Sequence, residues 1–122
     1  MHTVTFPWPP SCLSPNAKRR SHWSKYSGPT KKYRALCGWL AKEQGLHLNR
    51  RNDPDAKWNV ALTFNQPTKH RRDMDGMLGS FKAGLDGLAD AMGVDDHKFE
   101  LSLKTGEFIK GGSVTAQIEA IL

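Results

Sequence analysis

Cysteine is scarce in this chain. Cys12 and Cys37 stand apart, without the spacing of metal ligands and without partners for a disulfide framework, so neither a thiolate metal site nor a stapled scaffold is expected. Long apolar runs are missing too. No stretch approaches the roughly 20 residues of a membrane span, and no membrane association is expected. The first residues lack a basic segment followed by a hydrophobic core, so they do not read as a secretory signal. The expected compartment is the cytoplasm. Acids are outnumbered, with 12 Asp and Glu against 18 Lys and Arg and a formal charge of +6.

The shortage of acids is local. Between Ala17 and Arg34 stand Lys18, Arg19, Arg20, Lys25, Lys31, Lys32 and Arg34, with no acid among them. Lys69, His70, Arg71 and Arg72 form a second cluster. Such clusters are the electrostatic footprint of a polyanion, because phosphate contacts release counterions. The plainer reading is a solvated basic surface.

With 122 residues, 38% of them hydrophobic, the chain matches a single domain, 1–122, with a modest core that pairing with a second copy would extend. Val4, Phe6 and Trp8 alternate as a first strand, stopped by Pro7, Pro9 and Pro10. Ser11 to Gly28 lacks a period and reads as a long loop. Pro29 suits a first helical turn; Tyr33, Leu36, Cys37 and Leu40 follow at helical spacing, and Gly45 is a stop. Cys37 falls on the apolar side, which makes it a buried free thiol. A polar turn is expected at Asn49–Lys57. Trp58, Val60, Leu62 and Phe64 alternate as a second strand, ended by Pro67.

Met77, Leu78, Phe81, Leu85, Leu88 and Met92 make a helical stripe, predicting a helix over Asp75–Met92. Phe99, Leu101 and Leu103 form a third strand, and Val114, Ala116 and Ile118 a fourth. The turn at Lys110, Gly111 and Gly112 joins the last two as an expected hairpin. The order β-α-β-α-β-β predicts an α+β domain with a mixed β-sheet and two main helices. No internal repeat is present.

Chemistry concentrates in carboxylates. Asp73 and Asp75 flank Met74 at the head of the second helix; in an extended segment, residues two apart share a side and can face one cation. Asp75 is alternatively an N-cap. The pair Asp95-Asp96 lies beyond the helix, where the dipole disfavours acids, and is alternatively a solvated turn. Four acids in a basic protein suit Mg²⁺, a hard cation with oxygen ligands, and metal-assisted phosphodiester hydrolysis. Lys82 stands two turns from Asp75 on the same helix face, placed to contact a phosphate or else to pair with Asp86 at i+4. Gly76, Gly79, Gly84 and Gly87 each cost about 1 kcal/mol in a helix interior. They imply close approach of another backbone, a partner helix or DNA.

Three stretches carry a family resemblance. They are Phe6-Pro7-Trp8-Pro9-Pro10-Ser11 with Ser14-Pro15-Asn16 and His22-Trp23; Arg71-Arg72-Asp73-Met74-Asp75 running into Phe81-Lys82 and Leu85-Asp86-Gly87-Leu88; and Gly93-Val94-Asp95-Asp96. In this order the chain resembles the RusA-like Holliday-junction resolvases, small endonucleases of phages and prophages. The resemblance implies a homodimer in a bacterial host cell. It would cut four-way DNA junctions and related branched DNA in recombination and repair, with Mg²⁺ or Mn²⁺. It carries the metal ligands to Asp73, Asp75 and Asp96, with Asp95 as the alternative third, and the catalytic lysine to Lys82. The DNA backbone would fall to Lys69, Arg71, Arg72 and the Lys18, Arg19, Arg20, Lys25, Lys31, Lys32 cluster. The chain departs from the family in having Gly76 where Asn is usual, and Gly79 where some relatives place the lysine. Two other readings are a non-catalytic branched-DNA-binding protein of a phage, with Trp8, Trp23 and Tyr26 as base contacts, and an accessory protein that binds a partner through the glycine-bearing helix.

Overall fold

Alternating apolar residues dictate four strands. In the computed structural model, which describes residues 2–45 and 57–121, these are β1 (His2–Pro7), β2 (Lys57–Asn65), β3 (Phe99–Thr105) and β4 (Ser113–Ile121). Three helices join them: α1 (Pro15–Arg20), α2 (Ser27–Glu43) and α3 (Met74–Met92). Apart from Lys57, which opens β2, the expected polar turn at Asn49–Lys57 lies outside the described residues. The architecture is the expected α+β, with one mixed sheet and two main helices.

The sheet order is β1-β4-β2-β3. β4 lies antiparallel to both β1 and β2, while β3 runs parallel to β2. The expected β3–β4 hairpin is therefore wrong. A parallel β2–β3 pair needs a long crossover, and α3 supplies it. The segment 106–112 is then a bridge over the end of β2 rather than a tight turn. Its Gly106 N–H donates to Phe64 O at 3.0 Å and its Ile109 N–H to Gln66 O at 3.0 Å. The chain so passes from one side of β2 to the other.

One face of the sheet carries Val4, Phe6, Val60, Leu62, Phe64, Val114, Ala116 and Ile118, all buried in one core with α2 and α3. The opposite face is polar, with Thr3, Thr5, Gln117 and Glu119 exposed. Phe81 anchors the core. Its ring lies 5.6 Å from Phe6, 6.2 Å from Tyr33 and 6.3 Å from Phe64, centroid to centroid. The Tyr33 hydroxyl donates to Pro7 O at 2.5 Å, tying α2 to the end of β1. Cys37 is buried as expected, and burial pushes its thiol up to about 12, so it stays protonated and unreactive.

Leu36, expected in the buried stripe, is exposed. The cause is the helix pairing. α2 turns Tyr33, Cys37, Gly38 and Ala41 inward, because Gly38 and Gly87 bring the α2 and α3 backbones together. A Cβ on Gly38 would stand 3.1 Å from Gly87 O, and one on Gly87 would stand 2.9 Å from Gly38 N. For Gly87, the close approach expected of the helix glycines is to the backbone of α2 in the same chain, while Gly79 meets Pro15 and Gly76 has nothing within 4 Å of an added Cβ.

The expected long loop at 11–28 is instead a series of short turns. Single-turn helices at Ser11–Leu13 and Trp23–Lys25 flank α1. Ser14 Oγ accepts from Ala17 N–H at 3.2 Å and Pro15 occupies the first turn of α1, a cap too short to show any period. Leu13 pins the segment to the core.

Candidate functional site

The strongest concentration of charge lies where β2 hands the chain to α3. Arg72 organises that connection. Its guanidinium donates to Gln66 Oε1 at 3.1 Å, to Thr68 Oγ1 at 3.1 Å, and to the backbone oxygens of Thr68 and His70 at 3.2 and 3.3 Å. It also lies 5.7 Å from the Trp8 ring centroid. A loop held from four sides delivers Asp73 and Asp75 in a fixed register. Arg72 was expected as a phosphate contact, and most of its donors are spent on this loop.

Asp73 is the N-cap residue of α3, with φ −77° and ψ 144°, and its carboxylate makes no capping bond. Asp75 is already in the first helical turn. Two expectations change here. The cap position belongs to Asp73 rather than Asp75, and the two acids are not set side by side by an extended segment. Both instead line one pocket of about 560 Å³ at the helix entry, shared with Arg19, Arg71, Arg72, Trp8 and Ser14. Both carboxylates are exposed, and neither has a side-chain hydrogen bond or ion pair among the described residues. The positive end of the helix dipole favours their charge.

The acids of the far half of α3 are arranged differently. Lys82 Nζ donates to Asp86 Oδ1 at 3.1 Å and, more closely, to Asp96 Oδ2. Desolvation pulls the Lys82 ammonium down, but the hydrogen bonds to Asp96 and Asp86 outweigh it and raise its pKa above the ordinary lysine value. The Lys82 hydrogen bond holds Asp96 below the usual carboxylate range. Asp95 faces His97 Nδ1 at 3.7 Å, an exposed pair that is ionic only when the imidazole is protonated. Neither Asp95 nor Asp96 lines the pocket of Asp73 and Asp75. Among the described residues, no three His, Cys, Asp or Glu side chains gather as a metal cluster.

Asp73 and Asp75 nevertheless fit Mg²⁺ as donors. This ion keeps several waters and is commonly bound by one or two carboxylates together with substrate phosphates. Two unengaged carboxylates in an open pocket walled by arginines offer that set. Lys82 lies seven residues beyond Asp75 on an unbroken helix, hence on the same face about 10 Å along. Gly79 lies between them on the helix, and Pro15 covers it. Its ring packs on Gly79, where a Cβ would approach Pro15 Cγ to 2.7 Å, so a lysine at that position has no room.

The basic residues divide. Arg19 and Arg71 reach the pocket. Lys18 lies 5.6 Å from the Tyr26 ring centroid and Lys69 5.9 Å from that of Phe108. Arg20, Lys25, Lys31 and Lys32 are exposed and away from the pocket lining. Arg34 leaves the expected cluster. It grips Asp90 with two bonds of 2.7 and 2.9 Å, joining α2 to α3, and this pair raises the guanidinium's pKa and lowers that of Asp90. Sequence reading passed over Phe108 and Ile109, both exposed on the bridge. Their signal was two bulky apolar residues set between glycines and a lysine, a loop composition that gives them no core to fill.

No protein-family model matches the chain. A protein of Xylella fastidiosa, described as uncharacterized, is 37% identical over 102 residues, which is 81% of this chain and 63% of that protein. The chain is similar to that protein and spans about 63% of its length.

Proposed function

We propose that this chain is a Mg²⁺-dependent endonuclease acting on branched DNA, four-way junctions included, in the bacterial cytoplasm and as a homodimer. The observation that carries the reading is the pocket that Asp73 and Asp75, with carboxylates unengaged among the described residues, line together with Arg19 and Arg71. A protein that only held phosphates would gain nothing from carboxylates at that place, since they repel the ligand.

In this reading Asp73 and Asp75 hold the ion, whose chemistry is to activate a water and to polarise the scissile phosphoryl group. Mn²⁺ would serve as a substitute. Arg19 and Arg71 bind the phosphates on either side and fix the backbone over the two acids. Arg72 keeps the loop in register. Lys82, two turns of α3 beyond Asp75, neutralises Asp96 and Asp86.

The test is cleavage of a synthetic four-way junction in Mg²⁺ by wild type and Asp75→Asn. The expected result is loss of cleavage in the variant with junction binding retained. Equal cleavage by the two proteins would sink the assignment.

A second reading, a branched-DNA-binding protein without catalysis, is favoured by one observation: Asp96, the third expected ligand, is engaged by Lys82. Tight junction binding by the wild type with no nicking in Mg²⁺ or Mn²⁺ would establish it.

A further inference from the structure

The bridge over β2 carries two apolar side chains that the core does not use. Phe108 is 50% exposed and Ile109 42%. Their backbone is not slack. Ile109 N–H donates to Gln66 O, and Gly112 N–H donates to Ile109 O at 2.7 Å. The bridge also leans on the candidate site. Gly112 packs against Trp8 and Pro67, and Trp8 carries Arg72, which holds the loop leading to Asp73. Phe108 and Ile109 therefore stand on a stiff ledge continuous with the rim of the pocket.

The charge around the ledge has one dominant sign. Lys69 lies over the Phe108 ring, with the exposed His70 and Arg71 next to it in sequence, and Lys110 is exposed on the bridge itself, against Glu107 as the acid of the bridge. An exposed aromatic face among cations is the arrangement that binds single-stranded nucleic acid, with cations on the backbone and the ring under a base. Duplex DNA has its bases stacked internally and cannot use it.

We propose that Phe108, backed by Ile109, is a stacking platform for an unpaired nucleotide, with Lys69 holding the adjoining phosphate. The inference rests on the nuclease reading for its biological setting, and it assigns the single-stranded or branch-point part of the substrate to a named surface. Within a branched molecule, the platform would take a base released at the branch while the continuing strand lies across the Asp73–Asp75 pocket.

Binding in metal-free buffer tests this without any need for cleavage. The probes are labelled oligo(dT), a labelled duplex, and a four-way junction with 2-aminopurine at the branch. Phe108→Ala should weaken oligo(dT) and junction binding about tenfold, leave duplex affinity unchanged, and abolish the 2-aminopurine response. Phe108→Trp should retain all three. Phe108→Leu keeps the bulk and loses the ring face, so it should behave as Phe108→Ala even if the alanine variant folds poorly.

Several results would overturn the proposal. These are no oligo(dT) binding by the wild type, equal losses for duplex and single strand, or full binding by Phe108→Leu. A wild-type dimer that sediments as a monomer in Phe108→Ala would also overturn it, since a second copy would then cover the ledge. The outcomes separate from those of the nuclease reading. If the wild type cleaves junctions and Phe108→Leu binds normally, the platform alone fails; if single-strand stacking is present and nothing is cleaved, the nuclease reading alone fails.

Discussion

Two sets of acids border α3, and the protein treats them in opposite ways. Asp73 and Asp75, at the head of the helix, have no side-chain partner among the described residues. Asp86 and Asp96, along its second half, share Lys82. The helix dipole accounts for part of the difference. Negative charge at the N-terminus is favoured by about 0.3–1 kcal/mol, whereas acids toward the C-terminus need a cation of their own. What the dipole does not require is that Asp73 forgo the cap bond open to it. A carboxylate left out of its local hydrogen bond keeps its oxygens for something else. Two sets of acids along one helix thus divide into one that is open and one that is closed.

The largest expected effect separates the pairs by chemistry. Asp73→Asn or Asp75→Asn should lower Mg²⁺-dependent junction cleavage by about 100-fold or more, at unchanged thermal stability, while Asp96→Asn should lower it less. Single-turnover cleavage measures both. If Asp96→Asn is as severe as Asp75→Asn, the division is wrong and Asp96 must leave Lys82 to join the site.

Next in size is Gly79→Lys, which places a lysine one turn from the acids. Pro15 occupies that space, so the variant should lose about 1–3 kcal/mol in urea unfolding, the usual cost of overpacking. Gly76→Asn should change stability far less, since nothing lies within 4 Å of an added Cβ. A Gly79→Lys protein as stable as wild type would show that Pro15 yields.

Smaller still is the closed pair itself. Lys82→Met and Asp96→Asn, combined in a double-mutant cycle, should show a coupling of about 0.2–1 kcal/mol, because both side chains are substantially exposed. Additive effects would reduce the ion pair to a bystander.

The pH dependence of that coupling is the finest test. Asp96 has its pKa lowered by Lys82, so the pair's contribution is whole above the unfolded aspartate value of about 3.9 and fades as pH falls through the lower folded value. Lys82 has its pKa raised, so at the alkaline end the contribution persists to about 10.4 and is lost as pH rises through the higher folded value. Between these limits the wild-type minus Lys82→Met stability difference should be flat. A slope inside that window would show that the difference reports something other than this ion pair.

Much of this was legible before folding. The alternation of Val60, Leu62 and Phe64 and the stripe of Phe81, Leu85 and Leu88 mark their elements because burial repeats at the period of the backbone. Strand partnership was not legible. Phe99, Leu101 and Leu103 carry the pattern of a strand with one buried face, which suits a hairpin as well as a parallel neighbour, and the choice was made by the bridge over β2. At the site, Asp73 and Asp75 could be singled out by type and spacing. The engagement of Asp96 by Lys82 could not, since it depends on how the turn after Gly93 folds back along α3. The helix glycines announced a close approach without saying to what; Gly38 and Pro15 answered only in three dimensions.

One side chain away from the site has a consequence for the whole sheet. Gln44 Oε1 accepts from Thr5 N–H and its Nε2 donates to Thr5 O, both at 2.8 Å. This is the pair of bonds that a fifth strand would make with the outer side of β1. A sheet offers two margins for recruitment, and here an amide already occupies one. A chain added as a further strand on β1 would have to displace that amide, whereas no such side-chain cap is seen on β3 among the described residues. The guard on β1 comes from the residue that caps the C-terminus of α2.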